Sequence, residues 1–126
     1  MNIDDYCPVS DSLDFFSRKW VLCILMDMFR GKKYFSEFQD SNPELSNHVL
    51  SNTLKYMEEK ELIKKETVDV KTRHKTSYCL LEKGLKANKI LYELSMYSLT
   101  ELNCSKLNEN IKNELLTTYT DSLNLD

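Results

Sequence analysis

The sequence predicts a mainly α-helical chain with one small β-hairpin. Three observations predict it. The 126 residues contain only 2 Gly and 2 Pro, too few for an all-β protein, which needs turn residues every ~8–12 positions. Apolar residues recur at helical spacing through most of the chain. One stretch alone, from about residue 63 to residue 81, has strand character interrupted by a basic segment. The length suits one domain, and 41% hydrophobic with 29% charged residues describes a globular chain. Gly31 and Gly84 cannot build a Gly-rich phosphate loop. The longest apolar run, Trp20 to Met26, is far below the ~20 residues of a membrane span, and MNIDDY at the start is acidic rather than signal-like. A cytoplasmic location with no membrane partner is therefore expected.

Each element follows in order. Ser10 or Ser12 is placed as the cap of a first short helix carrying Leu13 and Phe16. A second helix runs from Lys19 to Phe29 and is apolar on most sides, so it is expected at the centre of the core. Gly31 ends it in the left-handed conformation. Tyr34 to Asp40 forms one or two helical turns with Phe35 and Phe38 on one side, and Ser41-Asn42-Pro43 is a turn. A longer helix then runs from Ser46, its cap, to Lys60. Leu50, Leu54 and Met57 form its apolar stripe, and His48, Ser51, Asn52, Lys55 and Glu59 lie opposite.

Short helix, tight turn and long helix over residues 35–60 read as a helix-turn-helix, or equally as an ordinary helical hairpin. The next segment decides between them. Leu62-Ile63 closes the long helix, Lys64 to Val70 reads as a strand, Lys71 to Lys75 as a five-residue cationic tip, and Thr76 to Leu81 as a second strand. A helix-turn-helix followed by a basic hairpin is the winged-helix order. After Gly84 one long helix is predicted to about Leu102, with Leu91 and Leu94 on one face. A last helix is predicted from Lys106 to Tyr119. Their apolar stripes exceed what one small core can bury, so a second copy of the chain is the expected partner.

The net charge is −3, which by itself disfavours nucleic acid, but its distribution does not. Residues 1–17 hold four acids and no base, whereas residues 46–75 hold seven bases and five acids. The four cysteines, Cys7, Cys23, Cys79 and Cys104, have no ligand or redox-pair spacing and are expected as free thiols. Cys23 and Cys79 read as core residues. His48 and His74 belong to no catalytic constellation, and no metal or cofactor is expected. The chain is therefore not expected to be an enzyme.

At this point the residues resemble a known family, the HxlR-type winged-helix transcription regulators, relatives of the MarR group. Cys7-Pro8-Val9 precedes the first helix, Lys19-Trp20 opens the second, and Gly31 precedes Phe35-x-Glu37-Phe38. Leu45-Ser46-x-x-x-Leu50-Ser51-x-x-Leu54 is followed by Met57-Glu58-Glu59-x-x-Leu62-Ile63, then by Tyr78-x-Leu80 and Gly84. The ordered set spans about residues 7–102. The chain departs from the family pattern with Ser17-Arg18 before Lys19-Trp20, Tyr34 in place of an Arg, Glu61 in place of a Gly and Leu81 in place of a Thr.

The resemblance implies a homodimeric, sequence-specific DNA-binding regulator that reads an inverted-repeat operator. It implies one domain over 1–126, with the helix-turn-helix at about 35–60, the wing at about 63–81, and dimerisation helices at about 85–119 plus the N-terminal helix. Ser46, Asn47, His48, Ser51, Asn52 and Lys55 are the candidate contacts of the recognition helix, and Lys71, Arg73 and Lys75 those of the wing. Asn52 has the amide needed to pair with adenine; Ser46 and Asn47 stand where backbone N–H groups hold phosphate. Some members of the resembled family use the cysteine at the position of Cys7 to sense oxidants or electrophiles. A helix start favours thiolate there, while Asp4, Asp5 and Asp11 oppose it by like charge. A small-molecule or oxidant effector is thus a further expected partner. The alternative function is a winged-helix protein–protein module that binds no DNA.

Overall fold

The computed structural model describes residues 2–70, 73–102 and 108–123. After a single 3-10 turn at Ile3–Asp5, the elements are α1 (Pro8–Phe15), α2 (Lys19–Phe29), α3 (Phe35–Ser41), α4 (Asn47–Glu59), β1 (Ile63–Val70), β2 (Arg73–Leu80), α5 (Glu82–Leu85), α6 (Asn88–Glu101) and α7 (Glu109–Ser122). No helix among the described residues is long and apolar enough to cross a membrane.

Helix α1 starts earlier than expected. Cys7, not Ser10 or Ser12, is its N-cap, and the Sγ accepts the Ser10 N–H at 3.4 Å. The reason is Pro8, whose fixed φ and missing N–H suit the first helical position. Helix α2 occupies the predicted span and packs the core with Val21, Ile24, Leu25 and Met28. Against these lie Phe38 of α3, Leu50, Leu54 and Met57 of α4, and Leu62 and Ile63 at the start of the hairpin.

Gly31 ends α2 as predicted, with φ +95°. Its N–H donates to Met28 O at 3.0 Å, and the Lys32 N–H to Asp27 O at 3.0 Å, the paired bonds of a Schellman ending. Helix α4 ends the same way without a glycine. Glu61 carries φ +62°, its N–H reaches Glu58 O at 3.0 Å, and the Leu62 N–H reaches Met57 O at 3.0 Å. The departure from the family's glycine therefore leaves the ending intact and places an L side chain in the left-handed region. That costs ~1–2 kcal/mol. Glu61→Gly is expected to raise stability by about 1 kcal/mol, read as a higher urea midpoint at unchanged slope; an unchanged or lower midpoint would refute the strain.

The hairpin is a two-stranded antiparallel sheet with Ile63 opposite Leu80 and Val70 opposite Arg73. The five-residue cationic tip is therefore corrected. Arg73, His74 and Lys75 are strand residues, opposite Val70, Asp69 and Val68, because antiparallel pairing runs further than composition suggested. Lys71 lies outside the described residues. The Tyr78 N–H also donates to Lys33 O at 2.9 Å, tying the wing to the link between α2 and α3.

The long helix expected after Gly84 is split. One turn of α5 passes through an i→i+3 bond from the Ala87 N–H to Gly84 O, 3.1 Å, before α6 begins. The last helix begins at Glu109, after its N-cap Asn108, whose Oδ1 accepts the Ile111 N–H at 2.9 Å, and it runs on to Ser122; Lys106 lies outside the described residues. Helices α6 and α7 are partly spent on their own core, since Leu91 and Leu123 are buried and Asn88 Nδ2 donates to Leu123 O at 3.0 Å. Cys23 was expected in the core and is exposed. It lies on the side of α2 that α6 and α7 approach without closing. Cys79 is half-buried, with its S–H 3.8 Å from Glu66 Oε1. Cys104 lies outside the described residues.

Candidate nucleic-acid interface

Helix α4 presents one apolar and one polar side. Leu50, Thr53, Leu54 and Met57 are buried, whereas Asn47, His48, Ser51, Asn52 and Lys55 are exposed. The Ser46 Oγ accepts the Val49 N–H at 3.2 Å, satisfying one of the N–H groups left open at a helix start. The start of α3 is held by its own Glu37. Glu37 Oε1 accepts the N–H groups of Lys33 and Tyr34, each at 3.0 Å. These two bonds, first Lys33 and then Tyr34, hold the Glu37 carboxyl below its ordinary value. Gln39 Nε2 donates to Asn47 Oδ1 across the turn.

The six recognition-helix residues named from the sequence thus fall on one exposed surface. Within it, Asn52 Nδ2 lies 3.2 Å from His48 Nε2, one helical turn away. This contact orients the Asn52 amide while leaving its Oδ1 uncommitted to His48. Asn47 is different, since its Oδ1 is already taken by Gln39. Cys7 stands apart from this surface, as the cap of α1.

Two neighbours of this surface escaped the sequence reading. Arg18, the N-cap position of α2, holds its guanidinium 4.6 Å from the centre of the Tyr56 ring. It shares a shallow concavity of about 220 Å³ with Asn52, Lys55 and Glu59. Tyr56 is itself anchored by its hydroxyl, which donates to Phe15 O at 2.5 Å. Lys60 reaches the same ring at 5.6 Å. A cation stacked on an aromatic ring keeps its charge available to a phosphate oxygen. Gln39 is the second, through its bond to Asn47. Neither had a local signal, because each meets its partner only through tertiary packing.

In the hairpin, Lys64 Nζ pairs with Glu66 Oε1 at 3.1 Å. That hydrogen bond, and then the carboxylate charge, hold the ammonium above its ordinary value. Both side chains are about half exposed, so the pair adds little stability.

The family model described as HxlR-like helix-turn-helix matches residues 15–106. YvaP of Bacillus subtilis strain 168, an uncharacterized HTH-type transcriptional regulator, is 32% identical over 99 residues, which are 78% of this chain and 91% of that protein. A solved structure from Porphyromonas gingivalis W83, ascribed to the MarR family of transcriptional regulators, superposes with TM-score 0.68 at 26% identity, covering 81% of this chain and 99% of the other. The redox regulator HypR in its oxidized form superposes with TM-score 0.67 at 27% identity, covering 73% and 94%.

Proposed function

The chain belongs to the HxlR-like helix-turn-helix family, and on that premise we propose that it is a homodimeric, sequence-specific DNA-binding transcriptional regulator. The observation that carries the reading is the exposed polar surface of α4, flanked by Arg18 in a chain of net charge −3. Basic and amide groups are concentrated where a helix of this size enters the major groove. Asn52 reads a base, with His48 and Ser51 beside it. The N-terminal turn of α4, at Ser46 and Asn47, holds phosphate through backbone N–H groups, and Lys55 adds a phosphate contact. Lys71, Arg73 and Lys75 belong to the wing and contact backbone or minor groove. One domain spans residues 1–126, with the helix-turn-helix at about 35–60 and the wing at about 63–81.

The dimer is supported by apolar side chains left exposed along one face of α6, Ile90, Leu94 and Tyr97, and by Val9 and Leu13 of α1. On this reading the interface lies in the helices at about 85–119 together with the N-terminal helix. A two-fold dimer with one recognition helix per subunit reads an inverted repeat.

The test is a mobility shift on DNA upstream of the protein's own coding region. Asn52→Ala is expected to weaken the cognate site by ~1–3 kcal/mol and random DNA far less, as loss of a two-bond base contact should. Equal losses on both would remove Asn52 from base reading. No shift at any DNA would favour the protein–protein module.

Redox or electrophile response through Cys7 is part of the same reading. Cys7 is exposed, its sulfur accepts a helix N-terminal N–H, and HypR, similar over 73% of this chain, is a redox regulator. Treatment with diamide is expected to change DNA affinity in the wild type and leave Cys7→Ser unaffected. An identical response in both would make Cys7 a structural cap only.

A further inference from the structure

Helix α4 carries one side chain that its polar surface does not account for. Val49 is 40% exposed, yet it stands among Ser46, His48 and Asn52, all of them polar and exposed. Among the described residues, the other large apolar side chains left exposed lie before residue 14 or from Leu85 onward, in and beside the helices of the proposed dimer. Val49 belongs to the helix-turn-helix and to neither of those segments.

The backbone of Val49 is fixed on both sides. Its N–H donates to Ser46 Oγ at 3.2 Å, and its carbonyl oxygen accepts the Thr53 hydroxyl at 2.7 Å. The Thr53 hydroxyl is thereby turned back onto the helix. A β-branched side chain in a helix holds one strongly preferred rotamer. The two methyl groups are therefore offered to a partner with little side-chain entropy left to lose.

Val49 is the third residue of α4 and lies in its first turn. A recognition helix meets base edges with its N-terminal residues. On a helix surface the i+3 neighbour of Val49 is Asn52, about 5–6 Å away between Cβ atoms. The Asn52 amide, oriented by His48 Nε2 at 3.2 Å, is the proposed adenine reader. The apolar group that a base pair displays in the major groove is the C5-methyl of thymine. Every adenine is paired with a thymine, so the base pair taken by Asn52 always supplies one.

We propose that Val49 reads the C5-methyl of a thymine in each operator half-site, on the base pair taken by Asn52 or on the pair beside it. This inference rests on the DNA-binding reading and adds to it a contact that uses no hydrogen bond. The amide selects adenine by its donor and acceptor, and the valine selects a methylated pyrimidine by apolar contact. The contact removes water from apolar surface on both partners, which is favourable without any polar group.

The experiment exchanges that methyl group for hydrogen. A preferred site is first selected from random duplex DNA with the full chain. Each thymine of the site is then replaced in turn by deoxyuridine, which keeps every base-pairing group and lacks only the methyl. Binding is followed by fluorescence anisotropy for the wild type and for Val49→Ala, whose urea midpoint is expected to match the wild type. At one thymine per half-site the replacement is expected to weaken wild-type binding about fourfold, the factor that one buried CH₂-sized group supplies. Replacement in both half-sites is expected to weaken it about 16-fold. Val49→Ala is expected to bind the thymine site more weakly and to lose that sensitivity. A site in which no thymine responds, or an undiminished deoxyuridine penalty in Val49→Ala, would overturn the contact and leave sequence-specific DNA binding standing. Loss of folding in Val49→Ala would show that the side chain is committed to packing and would overturn the contact as well. Failure to select any site would overturn the DNA-binding reading and this contact with it.

Discussion

Gly84→Ala should cost about 3 kcal/mol of stability, and Gly84→Val should leave no folded protein. In an exposed helix the same Gly→Ala change normally gains up to ~1 kcal/mol, so the sign itself is diagnostic. A Cβ at this position would lie 2.3 Å from the Leu62 carbonyl oxygen and 3.1 Å from Leu80 Cδ2. The leucine tip can swing aside, but the carbonyl cannot. It already accepts the Leu81 N–H at 2.9 Å, and Leu62 is itself buried in the core. Relief would require moving the end of α4 and the end of the wing together. Urea unfolding followed by circular dichroism measures the effect. A midpoint equal to wild type would show that α5 can tilt away from Leu62.

The second large effect concerns DNA. Replacing Arg18 and Lys55 together by Gln should remove two phosphate contacts per subunit and four per dimer. The slope of log affinity against log salt should then fall by about 3.6. Raising salt from about 50 to about 200 mM should cost the wild type ~100-fold more affinity than the variant. Cognate and random DNA should suffer alike, because phosphate contacts carry no sequence information. The Arg18 stack on Tyr56 is exposed, so its loss should cost no more than ~1 kcal/mol of stability. An unchanged salt slope with normal folding would take these two side chains out of the interface.

Much of the fold was legible in residue pattern. Helix α2 was found at both ends because its apolar run is bounded by Lys19 and Gly31. Helix α4 was found because Ser46 is a strong cap and Leu50, Leu54 and Met57 keep one phase. Tertiary choices were less legible. Cys23 sits in an apolar helix, yet burial depends on what packs against each side, and the α6–α7 pair leaves that side open. Arg73 to Lys75 read as a loop because composition marks turns better than cross-strand pairing does. The cap of α1 was misplaced because serine outranks cysteine as a cap, although Pro8 decides the position.

The candidate interface was half legible. Five residues of α4 and its cap Ser46 share a face through helical period alone. Arg18 could not be connected to Asn52 and Lys55 from sequence, since its partner Tyr56 lies on another helix. Nor could the commitment of Asn47 to Gln39, which leaves the Asn52 amide as the one proposed to read a base.

Leu123, wholly buried and bonded through its carbonyl to Asn88, has a consequence for biosynthesis. The core opened by Val21 and closed over by Leu91 still lacks one side chain when α6 has left the ribosome. At ~5–20 residues per second, the missing plug is synthesised about 1–4 s later. Until Leu123 is in place, the core keeps an unsealed apolar hole beside α6. Helix α7 thus acts as a late stopper, and the emerging chain is most exposed to chaperones and proteases just before it arrives.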